Sequence, residues 1–466
     1  MAKSKRVLSV FTLVTINIVA IDSLRSLPIN AQYGYSIIFF YLLAAIVFFI
    51  PCTLVAAELA TGWPRRGGAY VWVREAFGKR WGFVAIWLQW IYNVVWYPTI
   101  LVFIATSLAN LIHPAWVDSR VYMVVAVLVI FCLATLLNSF GMRLSGWLSE
   151  MGAVLGTIIP MTLISILGII YVCVHHLAVP FTWHTVMPDL HHLSNLSFLV
   201  VVVFSLMGIE MSGVHAEDVK RPERDYPRAL LISACLILTT LILSSLAVAV
   251  VMPAGSISLV DGLNQAFKAF FEQYHMGWFY PIIEVLIVVG GFGGMAAWVL
   301  GPAKGLFVAA QDRCAPRAFI KANRFGAPHV LLCWQAIIVL ILSSAFLIMP
   351  SVNSAYWLLS DLTAQLAVLY YATLFVSTIR LRYSQPKRRE HAFQIPGGKW
   401  GAWGVCLLGL LACFGVLAIG FIPPDNVKIG HIWLYEGALI AGIVILVALP
   451  LYIYQRTKKF YAKASS

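Results

Sequence analysis

The sequence predicts an all-α membrane protein that crosses the bilayer about twelve times. Its 466 residues are 61% hydrophobic and only 11% charged, whereas a soluble domain carries roughly a quarter charged residues. Apolar runs recur from Val7 to Tyr454 with short polar breaks, and about 20 apolar residues in a helix cross a bilayer. Basic residues are concentrated in alternate connections. These observations favour one membrane domain over residues 1–466.

Twelve segments are predicted as helices and are called α1 to α12. Each is an apolar run of sufficient length, bounded by polar, glycine or proline residues. In chain order they cover residues 7–32, 35–60, 81–112, 119–140, 147–173, 196–219, 226–252, 276–311, 328–349, 353–380, 400–422 and 432–455.

The basic start before α1 superficially resembles a signal peptide. Lys3, Lys5 and Arg6 precede an apolar stretch, but that stretch is long and no convincing small-residue cleavage site follows it. We therefore expect α1 to be a retained membrane helix.

The connections between the helices predict the orientation. If the N-terminus is on the cytoplasmic side, only Arg120, Lys268 and Lys428 of the 32 basic residues lie on the outer side of the membrane. Arg25 lies within α1, and the other basic residues lie on the cytoplasmic side. This asymmetry follows the positive-inside rule, so both termini are predicted to be cytoplasmic. The net charge of +13 then reflects topology rather than a nucleic-acid partner. The basic run 387–389 is expected to contact lipid headgroups.

Helix α1 contains polar residues at membrane depth. Asp22, Ser23 and Arg25 are followed by Pro28 within an otherwise apolar segment. Ionisable residues at this depth cost several kcal/mol unless they face a cavity or a partner, so they indicate a functional site. A local ion pair between Asp22 and Arg25 with a proline kink is the alternative.

Helix α6 contains a similar interruption. Gly208 and Gly213 flank Glu210 in the middle of the segment. Interruptions at corresponding positions of two halves, here about 7–173 and 196–380, indicate an inverted-repeat transporter with its site near the bilayer midplane. The two breaks together favour discontinuous helices at α1 and α6.

Other functional classes find little support. The eight cysteines form no CxxC pair and most lie in apolar runs, so neither disulfides nor a zinc site is predicted. No GxSxG, HExxH, Walker or DxD-type motif is present, so we expect neither an enzyme nor a cofactor. No filter-like motif indicates a channel.

Several short stretches match a known family in order and spacing. They are Phe49 to Pro51, Ala56 to Thr61, Gly67 and Gly68, Arg224 to Pro227, Trp298 to Pro302, Ile395 to Lys399, and Pro423 to Asn426. Through them the chain resembles the amino acid, polyamine and organocation transporter superfamily. Within it, the bacterial glutamate/GABA antiporter branch is the most similar.

The resemblance implies a LeuT-type fold with a five-plus-five inverted repeat, and α11 and α12 as two extra helices at about 400–455. It also implies alternating access in a bacterial inner membrane, with substrate held between α1, α3, α6, α8 and α10. The positions that match the family's substrate-contacting segments are Ile21, Asp22, Ser23, Asn93, Met207, Gly208, Ile209 and Trp298.

Two side chains near these positions, Glu210 and Trp298, each have an alternative role. Glu210, with Arg25, is predicted to act in gating or proton coupling, but Glu210 could instead tie the broken helix together by hydrogen bonds. Trp298 is predicted to cover a substrate ammonium by a cation–π contact, or it simply packs in the bundle. For Phe204, Tyr92, Trp96 and Tyr370 we favour packing, because aromatic residues make up 13% of the chain.

Departures from the family narrow the function. Asp22 replaces a small residue, which adds a countercharge for an amine, and residues 293–297 lack the acidic residue that the branch often has, which disfavours glutamate. Helix α8 lacks the hydroxyls of sodium-coupled relatives and α5 lacks lysine. The sequence therefore favours an antiporter of amino acids or amines, with a proton-coupled amino acid or polyamine symporter as the alternative. Oligomeric state is not predicted.

Overall fold

The structure is a computed structural model that describes residues 8–64, 67–140, 152, 154–175, 179–188, 193–384, 391–425 and 427–463. Over these ranges the chain is helical, and the one isolated β-bridge joins Leu8 to Val219. The predicted start of α5 at 147–151 and the basic run 387–389 lie outside the described residues.

Ten helices in the described ranges are long and apolar enough to cross a membrane. The chain is therefore an integral membrane protein, and its all-α class is confirmed. These helices are α2 to α5 and α7 to α12, at Gly34–Gly62, Lys79–Ile112, Arg120–Ser139, Val154–Val174, Pro222–Val251, Gly277–Gln311, His329–Ile348, Val352–Ser384, Gly398–Ile419 and Ile432–Lys463.

Helix α1 consists of two pieces, Val10–Ile21 and Leu24–Ala31, bent by 41°. The bend arises because Asp22 and Ser23 are extended, which interrupts the helical hydrogen-bond ladder. Pro28 lies in the first turn of the final helical stretch, where its missing N–H costs no hydrogen bond. It therefore does not kink a continuous helix.

Helix α6 is also interrupted. Its first part, Leu199–Ser205, ends before Gly208, and a 3-10 helix follows at Ile209–Asp218. Gly208 has a φ of 120°, a conformation that glycine adopts at no steric cost. Its N–H donates to the Tyr371 hydroxyl at 2.7 Å, which ties the break to α10.

Helices α3 and α10 form the centre of the bundle. In each of them 72% of the most apolar stretch is buried, against 11% in α12. Both contact α6 or α8 along their length. Helix α12 therefore lies at the periphery, where an apolar surface can face lipid.

Two helices in the connections were not predicted. The inner connecting helix, Ala69–Phe77, joins α2 to α3 on the side of the bundle where the N-terminus lies. The outer connecting helix, Gly262–Gln273, joins α7 to α8 on the opposite side. In the latter, Leu263, Phe267 and Phe270 are buried on one face, a helical spacing that was present in the sequence.

Ion pairs fix the inner side of the bundle. Glu58 of α2 accepts from Arg382 of α10 at 2.7 Å, and both are buried. Arg74 of the inner connecting helix pairs with Asp312, also at 2.7 Å. Burial raises the pKa of Asp312, but hydrogen bonds from Tyr70 and Arg74 outweigh that effect and lower the pKa below its usual value.

Candidate functional site

A cavity lies between the broken helix α1 and helices α3, α5 and α8. Its wall is polar on the side of α1, aromatic where α3 and α8 meet, and rich in glycine on α8. The lining residues are Val19, Ala20, Asp22, Ser23, Leu24, Arg25, Trp96, Ile100, Phe103, Gly156, Thr157, Gly290, Gly291, Gly294, Met295 and Trp298.

Both sides of the α1 break reach this cavity. Val19 and Ala20 come from the end of the first helical piece, and Ser23 precedes the second. A helix carries partial negative charge at its carboxyl end and partial positive charge at its amino end. The break therefore offers opposite polarities to one small region, the arrangement that broken transporter helices use for charged ligands.

Asp22 is buried at the break, with 6% of its surface exposed. Its Oδ2 atom accepts a hydrogen bond from Thr240 of α7 at 3.0 Å. Its Oδ1 atom has no hydrogen-bond partner among the described residues. One carboxyl oxygen is therefore left to be satisfied by a ligand or a proton.

Arg25 is buried too, with 2% of its surface exposed. Its Nη1 atom lies 3.2 Å from each of three hydroxyl oxygens, those of Thr99, Tyr356 and Ser360. Its guanidinium also lies 5.7 Å from the centre of the Phe204 ring. Within the described ranges no carboxylate pairs with it, so its charge is solvated by neutral groups alone.

The local ion pair that was the alternative for α1 is therefore absent. Asp22 is hydrogen-bonded to α7, whereas Arg25 is hydrogen-bonded to α3 and α10. A carboxyl group and a guanidinium consequently line one cavity without forming an ion pair. Such an arrangement is costly at membrane depth unless a ligand supplies the counterparts.

Trp298 and Trp96 form the aromatic wall. Their ring centres lie 6.4 Å apart and their planes meet at 63°. The Tyr97 hydroxyl donates to the backbone oxygen of Trp298 at 3.0 Å, which holds α8 against α3. Trp96 packs against the core, as the sequence predicted, and it also lines the cavity.

Other predicted substrate residues lie around the cavity rather than in its wall. Ile21 is buried at the end of the first α1 piece. A Cβ atom on Gly208 would lie 3.5 Å from the Trp298 ring, so the α6 break approaches the site. Asn93 donates to the backbone oxygen of Gln89 at 2.7 Å. It is buried, as are Met207 and Ile209, and these three are not among the cavity-lining residues described above.

Glu210 faces α10 rather than the cavity. It is 3% exposed, and its Oε2 atom accepts a hydrogen bond from the Tyr371 hydroxyl. That hydroxyl also accepts from the N–H of Gly208. The hydrogen bonds match the tying role, although the Oε1 atom has no partner in the described residues. The gating role of Glu210 stays a prediction.

Several cavity residues were not predicted. Trp96, Ile100 and Phe103 follow each other at helical spacing on α3, so the face could have been found from the sequence. Thr157 and the α8 glycines carry no such signal. Helices α5 and α8 cross closely here, since a Cβ atom on Gly152 would lie 2.7 Å from the Cα atom of Gly293.

A helical membrane bundle with two broken helices, one of which lines a cavity, is the architecture of a secondary transporter. The sequence supports this class directly, because the family model for amino acid permeases matches residues 7–447. The chain belongs to the amino acid permease family, within the amino acid, polyamine and organocation superfamily. This family consists of transporters rather than enzymes.

Individual relatives agree with this assignment. An uncharacterized transporter of Legionella pneumophila is 48% identical over 97% of each chain. A glutamate/gamma-aminobutyrate antiporter of Lactococcus lactis is 28% identical over 92% of this chain and 86% of its own. A probable agmatine/putrescine antiporter of the same species is 24% identical over 79% and 78%. The similarity to the bacterial antiporter branch thus extends over most of the chain.

Proposed function

We propose that this protein is a secondary active antiporter that exchanges an amino acid for another amino acid or for an amine by alternating access. The names of the relatives at 28% and 24% identity support exchange of this kind. The observation that carries the proposal is the presence of an unpaired carboxyl oxygen on Asp22 and an acid-free guanidinium on Arg25 in one cavity.

An amino acid zwitterion supplies both missing counterparts. Its ammonium would neutralise Asp22, with help from the carboxyl end of the first α1 piece. Its carboxylate would pair with Arg25, because the planar guanidinium group can donate two parallel hydrogen bonds to a carboxylate. Trp298 and Trp96 would cover the ammonium by cation–π attraction of about 1 to 2 kcal/mol. An amine has no carboxylate to pair with Arg25, but it would keep the contact with Asp22 and the contact with the two tryptophan rings.

The second candidate is a proton-coupled symporter. The free Oδ1 atom of Asp22 favours it, because a buried carboxyl that is not neutralised by a ligand gains from taking up a proton. In that case a proton would enter with each amino acid or polyamine. We infer for either mechanism that both termini are cytoplasmic in a bacterial inner membrane.

Counterflow in proteoliposomes tests the proposal. The vesicles are either empty or preloaded with one unlabelled compound. The experiment measures how much of each radiolabelled amino acid or amine they take up, at about pH 5 and about pH 7. Exchange predicts uptake into preloaded vesicles only. Equal uptake into empty vesicles would refute the antiporter, and dependence on an inward proton gradient would identify the symporter.

Variants at the two charges test the site. Asp22→Asn should raise the KM for every substrate at least about tenfold. Arg25→Gln should do so for amino acids but not for amines, because only amino acids carry the carboxylate. Lys399→Gln, at an exposed lysine outside the cavity, is the control. Equal effects of Arg25→Gln on both classes would contradict the assigned contact.

A further inference from the structure

Two carboxyl groups meet on the outer side of the bundle, away from the substrate cavity. Glu284 belongs to the outer half of α8, and Asp261 precedes the outer connecting helix. Ser107 and Asn110, near the outer end of α3, lie beside them. Neither acid lines the cavity described above.

Glu284 is fully buried and its carboxyl group is unsatisfied. Its exposed surface is 0%, and neither carboxyl oxygen has a hydrogen-bond partner among the described residues. Tyr280, Ser107, Asn110 and Asp261 face it. A charged carboxylate here would be fully buried without a cation, and the neighbours that could donate to it are neutral. Burial of an unpaired charge costs several kcal/mol.

Asp261 has a different environment. Its Oδ1 atom accepts from the amides of Asn110 at 2.8 Å and Asn264 at 3.1 Å. Burial raises its pKa to about 6, although these amides lower it. Asp118, from the turn before α4, and Lys268, on the exposed face of the outer connecting helix, are the other charged groups that face it.

We propose that Asp261 and Glu284 form a proton-binding site on the outer side of this transporter. Two ionised carboxylates in one buried cluster repel each other, so one of them must be neutralised. Asp261 is only partly buried and accepts two amide hydrogen bonds, whereas Glu284 is fully buried and neither of its carboxyl oxygens is hydrogen-bonded among the described residues, so the proton resides on Glu284. A metal ion would need several oxygen ligands, but Asn110 and Asn264 present nitrogen donors to Asp261.

The site is connected to the broken helix α1. A Cβ atom on Gly262, next to Asp261, would lie 2.9 Å from Pro28. Gln32 donates to the backbone oxygen of Ile257 at 2.8 Å. Loss of the proton would add a second charge beneath the outer connecting helix and weaken its attachment to α3 and α1. External acid should therefore strengthen the packing of the outer connecting helix against α1 and α3.

Thermal unfolding of the purified protein as a function of pH tests the site without any transport measurement. A folded state that holds an extra proton gains stability as the pH falls. Between about pH 8 and about pH 5, the melting temperature of the wild type should rise by about 3 °C or more beyond that of Glu284→Gln. Glu284→Gln mimics the protonated carboxyl and should abolish this part of the pH dependence.

Glu272→Gln, which removes an exposed carboxylate from the same connecting helix, should retain the wild-type pH dependence. If Glu284→Gln fails to fold, Glu284→Met, which also removes the titrating carboxyl group, carries the same comparison. The proposal would be overturned if the variant that lacks the Glu284 carboxyl group showed the same pH dependence of the melting temperature as the wild type. The proposal would also be overturned if added sodium at about pH 8 stabilised the wild type but not Glu284→Gln, because the ligand would then be a metal ion.

Discussion

Asp22 and Arg25 are three residues apart in the chain, yet they face different helices. Thr240 of α7 donates to Asp22, whereas Thr99 of α3 and Ser360 of α10 lie around the guanidinium. A residue spacing of three would bring both side chains together on a continuous helix. The extended backbone at the break separates them, so the two side chains do not form the ion pair that a continuous helix would allow.

We predict that Trp298→Leu weakens substrate binding. The ring lines the cavity, and loss of a desolvated cation–π contact of about 1 to 2 kcal/mol corresponds to a KM about 5 to 30 times higher. The measurement is the concentration dependence of counterflow. Trp400→Leu removes a tryptophan that is 87% exposed and should leave the KM unchanged. A change in maximal rate at constant KM would instead indicate a role in the conformational step.

Asp22, Ser23, Arg25 and Trp298, which the sequence singled out, all line the cavity, because ionisable residues at membrane depth and an irregular helix can be recognised from sequence alone. Their roles in substrate binding and gating stay predictions. It did not predict their partners. Thr240 carries no local signal, since an isolated hydroxyl in an apolar helix usually bonds to its own backbone. Contacts between residues more than 200 positions apart depend on how the helices pack.

At the scale of elements, the two broken helices were predicted from their composition, but the contact between α5 and α8 was not. A Cβ atom on Gly290 would overlap the carbonyl oxygen of Gly156. Small residues allow membrane helices to approach closely. Glycines in α8 were visible in the sequence, yet only the packed structure shows which of them face another backbone.

We predict that Gly290→Ala destabilises the protein, whereas Gly294→Ala on the same helix does not. The added methyl group at position 290 must push α5 and α8 apart, and overpacking of this kind costs about 1 to 3 kcal/mol. At position 294 a Cβ atom would meet nothing within 4 Å. Melting temperatures in detergent compare the two variants, and equal values would show that the helices separate without cost.

At the scale of the whole molecule, the same charge pattern that predicts topology explains the high net charge. The basic residues lie mainly in the tail and in the connections on the side of the N-terminus. Arg74 and Arg382 form ion pairs there, so part of this charge is structural. We expect exposed lysines such as Lys399 to contact a membrane surface, which attracts cations through its anionic lipids.

The last prediction concerns the orientation of the bundle. Alkaline phosphatase fused after Asp118, between α3 and α4, should be active, because its disulfides form only in the oxidising periplasm. Fusion after Ser139, at the end of α4, should be inactive, since the positive-inside rule retains that end in the cytoplasm. A fluorescent protein after Lys463 should fluoresce if the C-terminus is cytoplasmic. Activity after Ser139 and none after Asp118 would mean the reverse orientation, and the carboxyl pair of Asp261 and Glu284 would then respond to cytoplasmic pH.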